Sequence, residues 1–168
     1  QDSVNSFSSI ITSAKPLIEL LPTLLGEGGE KTYMLLFQND GELRPTGGFL
    51  TAYAYLKVAR GKITPMNSYN IYDLDSRFTK KIPAPEPIKK YLKENQWNLR
   101  NMNLSPDFKV SMGTFNDALK SIVGLPQVDA IIALDTYLPV KLLETLGPIG
   151  VGGWGNFSAQ NDSRCDCP

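Results

Sequence analysis

Histidine is absent from the 168 residues. That removes every Ser-His-Asp or Cys-His nucleophile system and every zinc site of the mixed Cys/His type. Any catalysis must therefore rest on carboxylates, Arg, Lys, Tyr or a bound metal. An excess of one charge is missing too: Lys plus Arg and Asp plus Glu each number 17, so no overall basic field draws in nucleic acid. No stretch approaches the ~20 apolar residues of a membrane span, and no signal peptide is visible. Cysteine is confined to Cys165 and Cys167 in a terminal C-D-C-P. Two sulfurs are too few for a closed zinc site, and one intervening residue is tight for a disulfide between them. They read as a loose tail or as partners for cysteines elsewhere.

What is present is an ordinary globular composition, 42% hydrophobic and 20% charged, in a length that fits one domain with a proper core. The chain starts at Gln1 rather than Met, which reads as a trimmed product with a membrane anchor upstream. Residues 3–25 carry apolar side chains at three- and four-residue steps, from Val4, Phe7, Ile10 and Ile11 through Leu17, Ile18 and Leu21. This spacing predicts an amphipathic helix, kinked or restarted near Pro16. Residues 1–30 are thus helix and linker, and 31–168 a single domain.

Within that domain, the apolar run from Tyr33 to Phe37 predicts a buried strand, Phe49–Val58 a second, and Lys62–Ile71 a third returning antiparallel after the Arg60-Gly61 turn. Pro83, Pro85 and Pro87 punctuate a connector, followed by a short helix near Ile88–Lys93. Residues 94–109 show no period, and a long patternless stretch in a compact domain is often functional. A helix over about 110–123 stops at Gly124 and Pro126, VDAIIAL (128–134) reads as another buried strand, and Asp135 or Thr136 can cap a last helix. Helix, strand, helix in that order predicts an α/β fold with a mixed sheet between helical layers.

The polar words concentrate between the first two strands. LFQNDGELRPTGGF gathers Asn39, Asp40, Glu42 and Arg44, then Pro45, Thr46 and the pair Gly47-Gly48. Glycines let backbone approach a ligand, and strand-end loops are where α/β sheets place their chemistry. One arginine beside bare amides can grip a phosphate. The competing reading is a hairpin turn with solvated charges, in which Arg44 pairs with Asp40, Glu42 or Asp75.

Together with IYDLDSRF (71–78), PAPEPIKKYL (83–92), WNLRNMNLSPDF (97–108) and the closing GNFSAQNDSRCDCP, that word resembles an uncharacterised bacterial cell-envelope domain family. Its members usually follow an N-terminal membrane helix and face outward. More distantly, the element order and VDAIIALDTYLPVKLLETLGPIGV (128–151) are similar to the LytR-CpsA-Psr family. Those enzymes transfer lipid-linked glycopolymers onto peptidoglycan, using a bound polyprenyl pyrophosphate and magnesium.

The resemblance implies a three-layer αβα fold. It also implies an extracytoplasmic location and a polyprenyl-pyrophosphate-linked glycan, or another envelope polymer, as partner. Residue by residue, Asp40 matches a magnesium-binding aspartate and Arg44 a pyrophosphate-contacting arginine, the catalytic pair. Arg77 and Arg100 match further basic positions. Asn103 follows Arg100 as in the transferases, and with Thr46 it completes the implied substrate-binding set. Helix 1 or the second helix would line a lipid groove.

Two departures weigh against transfer activity. Thr46 stands where the transferases place a second aspartate, and threonine is a weak magnesium ligand. Their arginine-rich segment after the last strand has no counterpart before Pro168, so the resemblance implies a domain cut short at its C-terminal end. The alternative is a non-catalytic surface domain that binds an envelope polymer or a partner protein.

Overall fold

The computed structural model describes residues 2–161. Cys165 and Cys167 lie outside them, and so do the side chains of residues 2–11 within the first helix, Val4, Phe7, Ile10 and Ile11 included. The order is α1 (Asp2–Leu24), β1 (Lys31–Asn39), β2 (Phe49–Ala59), β3 (Lys62–Asn70), α2 (Ile71–Arg77), α3 (Phe108–Leu119), β4 (Ala130–Asp135), α4 (Tyr137–Leu146), β5 (Ile149–Val151) and β6 (Gly155–Phe157). This is the mixed α/β fold expected. β1, β2 and β3 form an antiparallel meander, while β4 joins the other side of β1 in parallel, giving the order β3-β2-β1-β4. β5 and β6 make a separate small hairpin.

Strand periodicity sorts the sheet faces. Met34 and Leu36 of β1, with Leu50, Tyr53 and Tyr55 of β2, turn toward α2 and α3. There they meet Ile71, Leu74 and Phe78, and the α3 row Met112, Phe115, Ala118 and Leu119, which recurs at three- and four-residue steps. On the opposite face, Leu138, Pro139 and Leu142 of α4 line an apolar hollow with Phe37, Thr51 and Leu134. The sheet thus lies between helices, as expected of an αβα layout.

Caps set the boundaries. Asn70 accepts from the Tyr72 amide and starts α2, so Ile71 opens a helix instead of ending the third strand as its sequence suggests. Asp107 accepts from the Val110 amide at 3.2 Å and starts α3. At α4 it is Asp135, not Thr136, whose side chain accepts from a first-turn amide, that of Leu138.

Residues 94–109 have no repeat because they plug the core. A 3-10 turn at Leu99–Asn101 places Leu99 and Met102 in the core cluster, and Asn101 and Asn103 are buried with them. The expected helix near Ile88 is a single π-type turn, Ile88–Leu92.

The first helix runs unbroken from Asp2 to Leu24 with Pro16 and Pro22 inside it, so no new helix begins at Pro16. Leu17, Ile18, Leu20 and Leu21 stay exposed. Its C-terminal end is tied to the sheet: Tyr33 Oη donates to the Leu24 carbonyl at 2.6 Å, and Arg60 and Gly61 donate to the carbonyls of Gly26 and Leu25. Gly26 has φ +71°, and a Cβ there would sit 2.4 Å from the Val58 carbonyl, so this junction requires glycine. At the far edge, Asp129 accepts from the Thr32 amide (2.8 Å) and Lys31 Nζ (3.0 Å), fixing the start of β4 against β1.

Tyr55 lies in the core with its hydroxyl buried and unpartnered. Burial first, then the neighbouring Tyr53, pushes its phenol from 10.0 up to about 12. A pKa raised by folding contributes stability that is complete below the unfolded value and is lost as pH climbs to the folded one. Urea unfolding of the parent should therefore weaken between about pH 10 and pH 12. In Tyr55→Phe that decline should be shallower, with stability at pH 7 unchanged or higher by up to ~1 kcal/mol, since no hydrogen bond is lost. A matching decline in both proteins would mean that this phenol is not the group responsible.

Candidate functional site

The carboxyl ends of β1 and β4 lie side by side, Gln38 opposite Asp135, and the turn between β1 and β2 rises beside them. That turn is closed by its own backbone: the Glu42 amide donates to the Asn39 carbonyl, Phe49 to Glu42, and Gly47 to Arg44. Gly48, at φ +155°, presses directly on the end of β1, since a Cβ there would lie 2.3 Å from the Asn39 carbonyl.

Two buried amides hold the turn down. Gln38 Nε2 donates to Thr46 Oγ1 (2.8 Å) and to the Gly48 carbonyl (3.0 Å). Asn103 Nδ2 donates to the same two oxygens, both at 2.9 Å. Thr46 and Asn103, both expected on the substrate side, are thus brought together, but facing inward. Thr46 Oγ1 already accepts from two amides. Gln38 went unnoticed in the sequence, although a polar residue in step with Met34 and Leu36 on a core-facing register was a usable signal.

Each carried-over arginine has acceptors of its own. Arg44 Nη2 binds Glu42 Oε1 at 2.8 Å, Nη1 donates to the Leu43 carbonyl, and the guanidinium carbon lies 5.4 Å from the Phe49 ring centre. Its side chain is 18% exposed, and Nε is buried without a hydrogen-bond partner. Arg77 Nη2 donates to the Val123 carbonyl, tying the end of α2 to the loop after α3. Arg100 bridges Asp75 (2.6 Å) and Glu94 (2.8 Å) and lies over the Tyr72 ring. Burial alone would lower its pKa, but hydrogen bonds to Asp75 and Glu94 outweigh that, and the net shift is upward. The Arg44–Glu42 pair is one of the ion pairs that the hairpin-turn reading of this loop expects. Asp75 and Glu94, the partners of Arg100, were not identified as such from the sequence.

Asp40 stands apart from these cations. Its carboxylate accepts a short hydrogen bond from the Thr136 hydroxyl, and its amide faces the same oxygen at 3.4 Å. Both residues border a hollow of about 540 Å³ at the strand ends, with Asn39, Tyr137, Glu144 and Asn161 around them. Glu144 is paired with Lys141, which also lies over the Tyr137 ring at 5.1 Å. Among the described residues lining the hollow, none is Lys or Arg.

Magnesium fits this donor set poorly. Among the described residues no three carboxylate or thiol groups are arranged to hold a metal ion. Asp40 is the one anionic ligand of the predicted pair of positions, and Thr46 points at Gln38 and Asn103 instead.

In comparisons with known proteins, the family described as "Protein of unknown function (DUF4012)" matches residues 28–163. No curated protein and no solved structure matches the chain.

If Arg100 is a structural strut, removing it strands Asp75, whose side chain is 8% exposed. Arg100→Ala should then cost about 3 kcal/mol in urea unfolding. Arg77→Ala, which loses one exposed hydrogen bond, should cost less than ~1 kcal/mol. Equal small losses for both would mean that Arg100 is not holding the fold together.

Proposed function

We propose that this chain, which belongs to the DUF4012 family, is a non-catalytic binding domain on the outer side of a bacterial cell envelope. Its ligand is an uncharged stretch of an envelope glycan. The observation that carries this reading is the hollow at the ends of β1 and β4. Its polar lining is amide, hydroxyl and carboxylate, beside Tyr137, Val140 and Ala159, with no cation among the described lining residues. Such groups match the paired hydroxyls of a sugar, each of which donates and accepts. They do not match a pyrophosphate, which calls for converging arginines or lysines. Two of the arginines that would serve a phosphate, Arg44 and Arg100, are paired with carboxylates within the chain, and Arg77 donates to the Val123 carbonyl.

In this reading Asp40 is an acceptor whose orientation is fixed by Thr136, and Asn39 adds an amide beside it. Tyr137 is more than half exposed and offers ring surface to a pyranose. The envelope setting rests on the motif resemblance. Among the described residues, no helix is long and apolar enough to cross a membrane.

One observation favours the second reading, a phosphotransferase-like domain that binds polyprenyl-pyrophosphate-linked glycan. Arg44 Nε is a buried donor with no acceptor, and a phosphate oxygen would satisfy it.

Titration with short, uncharged oligomers of N-acetylglucosamine, followed by amide chemical shifts, separates the two. The glycan reading expects shifts at Asn39–Gly41 and Thr136–Tyr137. It also expects roughly tenfold weaker binding in Asp40→Asn, equivalent to one charge-assisted hydrogen bond, and full binding in Arg44→Ala. Saturable binding of a short-chain polyprenyl pyrophosphate that Arg44→Ala abolishes, with no response to neutral sugars, would replace it with the transferase reading.

A further inference from the structure

The charge balance of the chain hides a local excess. Residues 79–93 hold five of its 17 basic residues, Lys80, Lys81, Lys89, Lys90 and Lys93, against one of its 17 acidic residues, Glu86. The rest of the chain is therefore net acidic. All five lysines are exposed, and among the described residues none of them forms an ion pair with a carboxylate. Glu94, next along, offers no neutralisation because it is taken by Arg100 and Asn98.

This excess sits on a built platform. The excursion is stapled at its base by an antiparallel bridge between Pro83 and Gln96, with the Ala84 amide donating to Asn95 and the Trp97 amide to Ile82. Ala84 and Ile88 are its buried pegs. The π-type turn Ile88–Leu92 then ends at Lys93 in a left-handed conformation, φ 59°. With Ile88 turned inward, that turn presents Lys89, Lys90, Tyr91, Leu92 and Lys93 outward. Tyr91 is 72% exposed, and Leu92 is exposed beside it. Lys90 Nζ lies 5.1 Å from the Tyr91 ring centre.

We propose that the lysine-rich excursion 79–93 is a docking surface for the anionic lipid headgroups of a membrane, with Tyr91 and Leu92 entering the interfacial layer. Charge complementarity selects the anion: Lys89, Lys90 and Lys93 on the stapled turn, with Lys80 and Lys81 just ahead of it in the chain, are exposed ammonium groups attracted to a negative leaflet, and each basic residue near such a surface strengthens binding severalfold. The apolar tip selects a lipid over a soluble polyanion. A tyrosine and a leucine gain from leaving water only where the partner has an apolar layer beneath its charge, and tyrosine favours that boundary. The surface is independent of the hollow at the ends of β1 and β4, and it would hold the domain against the membrane whichever ligand that hollow takes.

The test is co-sedimentation of the chain with vesicles of phosphatidylcholine alone and with phosphatidylglycerol added, at low and high salt. Binding should require phosphatidylglycerol and weaken as salt rises. Lys89→Gln/Lys90→Gln/Lys93→Gln should bind on the order of a hundredfold more weakly, from roughly fivefold per lysine. Tyr91→Ala/Leu92→Ser should bind several-fold more weakly while keeping the salt dependence of the parent. Circular dichroism of each variant checks that these exposed substitutions leave the fold intact. Equal partition of the parent and the triple-lysine variant would overturn the proposal. So would binding to soluble polyphosphate that matches binding to vesicles and is indifferent to Tyr91→Ala/Leu92→Ser, since the partner would then be a polyanion rather than a bilayer.

Discussion

Two buried amides competing for one pair of oxygens organise this molecule. Gln38 comes from β1 and Asn103 from the segment that plugs the core, and both donate to Thr46 Oγ1 and the Gly48 carbonyl. Burying such polar atoms costs free energy unless each is paired, so the four bonds act together: losing one partner strands the others. They fix three things at once. The β1–β2 turn is held down on the sheet, the 94–109 segment is anchored where Leu99 and Met102 can fill the core, and the register of β1 against β2 is pinned beside its irregularity at Phe37/Gln38. Asn103 Oδ1 remains buried without a partner, so the arrangement is less than fully satisfied.

That constraint decides what the polar turn can do. Thr46 spends its oxygen on the clamp, and Glu42 spends its charge on Arg44. Further along the chain, Asp75 and Glu94 do the same to Arg100. Ion pairs of this kind are consistent with a scaffold in which cations serve folding instead of a ligand. The chemistry left facing outward is Asp40 with Thr136 and the amides around them, across the seam of the two parallel strands. Ligands of open α/β sheets commonly bind at that position.

β1 to β4 and α3 were legible because their signals are local: the apolar runs 33–37 and 128–134, the alternation in 49–58, the turn before Lys62, and the Phe115–Leu119–Ile122 spacing, whereas the three-residue strands β5 and β6 gave no such signal. The first residue of α2 was not, because Ile71 and Tyr72 favour strands and the element is only seven residues long. Its signal lay in Asn70 as cap and in the 71–74–78 apolar spacing. The polar turn was legible as a special place, but the direction of its side chains was not. Whether Arg44 reaches outward or folds onto Glu42 and Phe49 depends on what surrounds it in space. Asn103 and Thr136 show the same limit, since their partners lie 57 and 96 residues away. The apolar stripe of α1 predicted a helix correctly, but Leu17, Ile18 and Leu21 remain in solvent. A stripe records what a helix can bury, not whether this chain supplies the cover.

The pairing of β1 with β4 carries a kinetic meaning. β2 and β3 reach their places through the nearby turns that follow β1, whereas Asp129 meets Thr32 across 97 residues. Closing so wide a loop costs chain entropy before any contact repays it. The meander and its α2–α3 cover can therefore assemble around β1 while its other flank is still bare, and β4 would arrive last, drawn into step by the carboxylate that takes the Thr32 amide. Until then β1 offers an open ladder of amides and carbonyls, so the interval before closure is when a newly made chain is most exposed to pairing with the wrong strand.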